Sequence, residues 1–289
     1  MPATPTSDFF TAYDAVLAKW PHGTTHHDIA TPYGTTHVHS YGPHNGPPVL
    51  LLPGGGATST VWYATAAHLG HTHRVHATDL IGEPGRSVPG DRPLKTAADL
   101  THWLDTLLDG LGLHTAALVG HSYGAWIALR HALTAPDRVH RLVLLDPTNC
   151  FTGFSPRYLL RALPMLLRPT PGRNRSFMEW ETDGTPLDPD WVRLDGLTAD
   201  FPTTRPVTGP RPTPAELRGL TPPTLLLLAE RSKAHDIRKL ATRARALAPK
   251  LETATLPDAT HHTLPIAAPE EMNARIAQFL DGWRPADGG

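Results

Sequence analysis

The sequence AALVGHSYGAWIALR, from Ala116 to Arg130, decides the fold of this chain. It begins as an apolar strand, turns at Gly-His-Ser-Tyr-Gly and continues as an amphipathic helix. A strand that turns directly into a helix holds the apical residue, Ser122, in a strained backbone conformation with its side chain pushed out of the sheet. Gly120 and Gly124 flank the apex because side chains there would collide with the strand and the helix. The hydroxyl of Ser122 is therefore predicted to meet a substrate beside the N–H groups of the first helical turn.

Length and composition indicate one α/β domain with an insertion. The chain has 289 residues, 40% of them hydrophobic, and its formal net charge of −1 gives no reason to expect a nucleic acid or an anionic membrane as partner. Its 18 histidines do not recur with metal-ligand spacing, so no metal site is predicted. Cys150 is the single cysteine, and neither a signal peptide nor a membrane-spanning run is recognisable, so a cytoplasmic location is expected.

Short apolar runs elsewhere in the chain predict a mostly parallel sheet. The runs at 48–52 and 224–228 are of the kind expected of strands that are buried on both faces, and 139–145 is predicted to be a further strand. Two segments of more polar composition, at 26–30 and 35–41, flank a Pro-Tyr-Gly turn. They predict an antiparallel pair of strands at one edge of the sheet. Helical patterns lie between the strands, so the sequence predicts an α/β fold with a central sheet flanked by helices.

With its strand and helix, the Gly-x-Ser-x-Gly motif resembles the nucleophile elbow of the α/β-hydrolase family, and the likeness extends over nearly the whole chain. In that family a glycine turn follows a buried strand and supplies half of an oxyanion hole through a backbone N–H. This chain has Pro53-Gly54-Gly55-Gly56 at that place, with Pro53 where the family usually has histidine. Matching the turn implies that Gly55 is one donor and that the N–H of Tyr123 is the other.

A serine hydroxyl becomes an effective nucleophile only beside a base, and histidine is the usual one. The resemblance implies the chain order serine, acid, histidine, with the histidine in the loop after the last strand. That loop contains Thr260, His261 and His262. Because the family pattern is a small residue followed by histidine, His261 is predicted to be the base in preference to His262.

The acid that would orient this histidine has three candidates. Most relatives place an aspartate a few residues beyond the strand matched here by 225–228, but Ser232 stands there. Asp146 ends the strand after the elbow helix, where some members of the family have their acid instead. Asp236 lies just past the expected loop and also suits a helix N-cap, and Glu230 is close to the strand end. We favour Asp146 over Asp236 and Glu230.

From residue 151 the alternation of strands and helices gives way to helical pieces between prolines. The family inserts its cap at this point, so the resemblance implies a small helical cap at 151–218 and a core made of 1–150 and 219–289. The leucines between residues 159 and 167 are expected to lie on the apolar side of this cap. It also implies hydrolysis of a carboxylic ester or related acyl bond of a small molecule through an acyl-enzyme on Ser122, without a cofactor. A thioesterase or cyclase of secondary metabolism is the alternative within enzymes. A non-catalytic ligand-binding homologue is a further alternative, because Ser232 replaces the usual acid.

Overall fold

The computed structural model describes residues 5–168, 170–266 and 269–281, so the two ends of the predicted core lie outside the described residues. Its strands are β1 (Thr25–Thr31), β2 (Gly34–Tyr41), β3 (Pro48–Leu52), β4 (Arg74–Thr78), β5 (Val88–Pro89), β6 (Ala116–His121), β7 (Val139–Leu145), β8 (Thr224–Ala229) and β9 (Glu252–Leu256). Its α-helices are α1 (Pro5–Leu17), α2 (Tyr63–Leu69), α3 (Ala97–Gly110), α4 (Tyr123–Thr134), α5 (Pro156–Leu167), α6 (Pro171–Glu181), α7 (Pro189–Thr198), α8 (Pro214–Arg218), α9 (Ile237–Leu247) and α10 (Pro269–Asp281). Short 3-10 helices lie at Ser59–Trp62 and Pro136–Arg138.

All the described strands belong to one sheet in the order β1-β2-β4-β3-β6-β7-β8-β9, with β5 paired to β2. Strand β2 is antiparallel to β1 and β4, and the neighbouring pairs from β4 across to β9 are parallel. The predicted mostly parallel sheet with an antiparallel edge is thus confirmed. Since parallel strands all end at the same edge of a sheet, the loops that follow them come together there, and this edge is where ligands bind in such folds.

The apolar strand runs are explained by two cores, one on each face of the sheet. In β3, Leu50 and Leu52 pack in the core that contains α3, α4 and α9. Val49 and Leu51, which alternate with them, pack in the core that contains α1, α2 and α10. Successive side chains of a strand point to opposite faces. A strand covered on both faces therefore needs an unbroken apolar sequence.

The turn between β6 and α4 has the strained conformation that the sequence predicts. Ser122 has φ 52° and ψ −111°, in the region of positive φ that residues other than glycine rarely adopt. A Cβ atom at Gly120 would lie 2.5 Å from the backbone of Gly124, and one at Gly124 would lie 2.4 Å from the carbonyl oxygen of Leu52. The two glycines are thus required because strand and helix approach each other too closely for side chains.

We predict that Gly124→Ala destabilises the protein by about 3 kcal/mol, since backbone atoms of β3 would have to move away from the new methyl group. Gly196→Ala is the matched control, because a Cβ atom at Gly196 in α7 would meet nothing within 4 Å. Alanine at that helical position should leave stability unchanged or raise it by about 0.5 kcal/mol. Urea unfolding curves of the parent and both variants measure these changes. Equal midpoints for the two variants would contradict the steric explanation.

Between β7 and β8 the chain forms helices α5 to α8. Helix α5 packs through Tyr158 and Ala162 against Phe177 of α6. The leucines of α5, which the sequence predicts to form the apolar side of the cap, are largely exposed instead. The buried face of this helix is narrow, so the leucines on its other faces are exposed to solvent. The exposed leucines are Leu159, Leu160, Leu163, Leu166 and Leu167. Among the described helices none has the length and hydropathy that crossing a bilayer requires.

Candidate active site

Ser122 and His261 meet at the edge of the sheet where the parallel strands end. Ser122 follows β6 directly, and His261 lies in the loop after β9. The Oγ atom of Ser122 is 2.9 Å from Nε2 of His261. The imidazole is almost completely buried, whereas 9% of the Ser122 surface remains accessible. The structure thus brings His261 to the serine and not His262, whose Nε2 lies 3.0 Å from the hydroxyl of Tyr158.

Asp146 completes the hydrogen-bonded series from the other side of the imidazole. Its Oδ2 atom is 2.7 Å from Nδ1 of His261. Burial alone would raise the pKa of Asp146, but the hydrogen bond from His261, the charge that this imidazole carries when protonated, the nearby His235 and the hydroxyl of Ser232 lower it to about 2. An ionised carboxylate only accepts hydrogen bonds, so the proton of the neutral imidazole lies on Nδ1. Nε2 is then the acceptor for the hydroxyl of Ser122.

The other two carboxylates considered from the sequence do not reach His261. Asp236 is exposed, and its Oδ1 atom accepts the backbone N–H of Lys239 at 3.0 Å, so it is the N-cap of α9. Glu230 is also exposed, at the end of β8. Their side chains therefore lie at the protein surface, and Asp146 is the carboxylate that the structure places beside the histidine.

Ser232, at the position where the resemblance implied an acid, takes part in this arrangement as a donor. Its hydroxyl donates to Oδ2 of Asp146 at 2.7 Å. The two positions come together because β7 and β8 are neighbouring parallel strands, with Leu145 paired to Leu227. A carboxylate at the end of either strand can therefore approach the same imidazole. Asp146 itself adopts φ 39°, in the left-handed region that residues other than glycine rarely occupy.

Gly55 and Tyr123 lie next to each other beside the serine. Gly55 lines the same cavity as Ser122, and a Cβ atom built on Gly55 would be 3.7 Å from Cβ of Tyr123. Tyr123 is the first residue of α4, so its N–H has no partner within the helix. The ring of Tyr123 points away, with its hydroxyl donating to the carbonyl of Val207 at 2.7 Å. The two residues that the sequence predicts to supply the N–H donors are thus neighbours at this site.

A cavity of about 360 Å³ opens in front of Ser122. Its walls are largely apolar and come from both the core and the helices between β7 and β8; they include Trp62, Met165, Phe177, Met178, Trp191 and Phe201. Two carboxyl groups, those of Glu83 and Asp195, also line it, and the described lining includes neither lysine nor arginine. Burial raises the pKa of Asp195 to about 7 and that of Glu83 above its usual value, although Glu83 accepts a hydrogen bond from the N–H of Gly56.

Three buried residues near the site were not singled out by the sequence. Glu181 and His121 bond to the backbone of His261, and the ring of His235 lies 5.7 Å from the ring of His261. One sequence feature does point to Glu181, because it follows Phe177 by four residues and so lies on the apolar face of α6. His121 precedes Ser122 within the elbow motif. No sequence pattern distinguishes His235 from the other histidines.

Among the described residues, one group of side chains has the spacing of metal ligands. Ligand atoms of Asp146, His235 and His261 all lie within 4.8 Å of one another. A metal ion in this position would displace the hydrogen bond between Asp146 and His261. The same atoms would then no longer hold the imidazole toward the serine. The expectation that the protein uses no metal stays a prediction.

The fold and the elbow define the class of this protein. A parallel sheet whose central strand turns through a strained serine into a helix is the architecture of the α/β hydrolases. The model of the alpha/beta hydrolase family matches residues 49–275. This chain therefore belongs to the α/β-hydrolase family, as its sequence predicts, and it is a hydrolase.

Particular relatives extend over nearly the full length. The chain is 31% identical to the carboxylesterase YbfK of Bacillus subtilis over 283 residues, which cover 95% of this chain and 94% of YbfK. It is 28% identical to the uncharacterized carboxylesterase nap of the same organism, over 94% of this chain and 92% of that protein. The crystal structure of naproxen esterase (carboxylesterase NP) from B. subtilis matches with a TM-score of 0.89 and 28% identity, over 97% of this chain and 99% of that one.

Proposed function

We propose that this protein hydrolyses carboxylic esters through an acyl-enzyme formed on Ser122. The observation that carries the proposal is the unbroken series of hydrogen bonds from Ser122 through His261 to Asp146, with the serine facing a cavity. In this arrangement His261 is the general base and Asp146 orients it. The full-length relatives named as carboxylesterases support the same activity.

In the proposed reaction His261 takes the proton of Ser122 while Oγ attacks the carbonyl carbon of the ester. The negative charge that develops on the carbonyl oxygen is stabilised by the N–H groups of Gly55 and Tyr123, and one such donor contributes about 3–4 kcal/mol in serine hydrolases. The protonated His261 then gives its proton to the departing alcohol. A water molecule, activated by the same histidine, attacks the acyl-enzyme and releases the acid. These steps need neither a cofactor nor a metal.

The segment 151–218 is proposed to be the cap of this site. Support comes from the side chains that its helices α5, α6 and α7 contribute to the cavity in front of Ser122, which include Met165, Phe177 and Trp191. The remaining residues, 1–150 and 219–289, are proposed to form the core. A cap with apolar side chains over the serine favours substrates whose acyl or alcohol part is itself apolar.

The walls of the cavity support a neutral small-molecule substrate. A substrate carboxylate would lose its hydration in this cavity without a lysine or arginine among the described lining residues to pair with it, so anionic esters are disfavoured. A thioesterase or cyclase is not favoured, because the full-length relatives are carboxylesterases. A non-catalytic ligand-binding role is not favoured either, since a carboxylate reaches His261 although Ser232 replaces the usual acid. A cytoplasmic location stays a prediction from the sequence.

A series of p-nitrophenyl esters tests this function. Because each buried CH₂ group contributes about 0.8 kcal/mol, kcat/KM should rise about tenfold from the acetate to the butyrate before the cavity is filled. The half-ester of glutaric acid, which ends in a carboxylate, should react at least about tenfold more slowly than the hexanoate, its neutral counterpart in chain length. Release of p-nitrophenolate measures both comparisons. Turnover of every ester at the rate of the enzyme-free reaction would show that ester hydrolysis is the wrong function.

A further inference from the structure

A buried carboxylate at the end of α6 lies against the histidine loop. Glu181 is completely buried, and its Oε1 atom accepts the N–H of His261 at 3.0 Å. Its Oε2 atom accepts the hydroxyl of Thr260 at 2.8 Å and the N–H of His262 at 3.2 Å. A negative charge is disfavoured both at the C-terminus of a helix and in the protein interior. The three donors of one loop compensate for this cost.

The backbone of His261 is thereby held on both sides. Glu181 accepts its N–H, and its carbonyl oxygen lies 2.8 Å from Nε2 of His121, the residue before Ser122. Burial lowers the pKa of His121 well below its usual value, so this ring is neutral and donates through a proton on Nε2. The imidazole of His261 is also hydrogen-bonded, through Nδ1 to Asp146 and through Nε2 to Ser122. Hydrogen bonds therefore fix the orientation of both the backbone and the ring of this residue.

The same end of α6 contacts the loop that approaches Asp146. Just after Glu181, Asp183 pairs with Arg231 at 2.8 Å and with Lys233. Lys233 also donates to the carbonyl oxygen of Trp180. Ser232, which lies between the two basic residues, is the residue whose hydroxyl bonds to Asp146. The end of α6 is thus attached to both loops beside the acid and the histidine.

Helix α6 also forms part of the substrate cavity, through Phe177 and Met178 one turn before Glu181. From these contacts we infer that Glu181 is a positioning residue for His261, so that the cap helps to build the catalytic site that it covers. This inference rests on the serine-hydrolase function proposed above. Without the carboxylate, the loop loses three hydrogen bonds, and Nε2 of His261 is no longer held at the distance from Ser122 that proton transfer requires.

The test measures how fast Ser122 reacts with a fluorophosphonate, followed by intact-protein mass spectrometry. In this reaction Oγ forms a bond to phosphorus, fluoride leaves, and His261 takes the hydroxyl proton. The rate therefore reports the geometry of serine and histidine without depending on any ester substrate. A parent protein that is phosphonylated but turns over no ester would overturn the ester-hydrolase function and leave the positioning role open to measurement by the variants.

Glu181→Leu keeps the size of the side chain but accepts no hydrogen bond, and we expect it to slow phosphonylation by about 10- to 100-fold. Glu181→Gln still offers an oxygen to His261 and can donate to Thr260, although its amide nitrogen cannot accept the N–H of His262. Because the hydrogen bond to His261 itself is kept, the rate should stay within about threefold of the parent. Glu179→Gln changes an exposed carboxylate of the same helix and is the matched control, with an expected change below about twofold. Recovery in the glutamine variant would show that acceptor geometry matters and that the charge matters less.

The extent of labelling separates positioning from a purely structural role. If Glu181 positions His261, the leucine variant reaches one adduct per chain, slowly. A variant in which only a fraction of the chains is labelled, at the parent rate, would mean that Glu181 merely holds the fold, and this would overturn the inference. Should Glu181→Leu not fold, Glu181→Asp keeps the charge but draws the carboxylate back by one methylene. A parent-like rate in that variant would overturn the inference equally.

Discussion

Alanine at position 122 is expected to lower kcat for ester hydrolysis by about 10⁴-fold or more, because the proposed acyl-enzyme forms on the hydroxyl of Ser122. The remaining rate would come from the oxyanion hole and substrate binding alone. The hydroxyl is not needed for the fold, since the strained turn is formed by the backbone and by Gly120 and Gly124. The variant should therefore unfold at about the same urea concentration as the parent.

The measurement compares Ser122→Ala with the parent on p-nitrophenyl butyrate at saturating and limiting concentrations. Ser176→Ala, which removes an exposed hydroxyl from α6, is the matched control and should change the rate by less than about twofold. The fluorophosphonate should add once to the parent and to the control and not at all to Ser122→Ala. If Ser122→Ala keeps more than about 1% of the parent activity, another nucleophile is responsible.

Asp146→Asn is expected to lower kcat by about 10³- to 10⁴-fold, with a much smaller change in KM. Asparagine fits the same space, but its amide can present N–H to Nδ1 of His261. The imidazole proton would then move to Nε2, where it blocks acceptance of the proton of Ser122. Loss of the carboxylate also removes the stabilisation of the imidazolium that forms during attack.

Two matched variants decide whether Asp146 acts specifically. Asp236→Asn keeps the N-cap of α9 and Glu230→Gln alters an exposed residue, so each should change kcat by less than about twofold. A large loss in either one, with Asp146→Asn unaffected, would move the acid to the loop after β8. Because Ser232 bonds to Asp146, the double variant Asp146→Asn/Ser232→Asp should recover part of the lost activity by placing a carboxylate on the neighbouring strand.

Local sequence determines much of this protein. The elbow requires Gly120 and Gly124 because strand and helix pass within 2.4–2.5 Å of where their side chains would begin. The five consecutive residues from Gly120 to Gly124 show this requirement directly in the sequence. Together with the apolar runs of the buried strands, they predict both the fold and the position of Ser122. The mostly parallel sheet and the membership in the hydrolase family followed from the same patterns.

The identity of the acid and the role of the cap depend on contacts that only the tertiary structure decides. Asp146 lies 115 residues before His261 in the chain, and three carboxylates were compatible with the family pattern. The sequence favours Asp146 among them, but the pairing of β7 with β8 is what brings the ends of these strands together. Glu181 is one of two acidic residues in a helix whose placement depends on packing. Hydrogen bonds between residues that are distant in the chain produce no periodic pattern in the sequence. The hydrogen-bond partners of His261 can therefore be identified only from the tertiary structure.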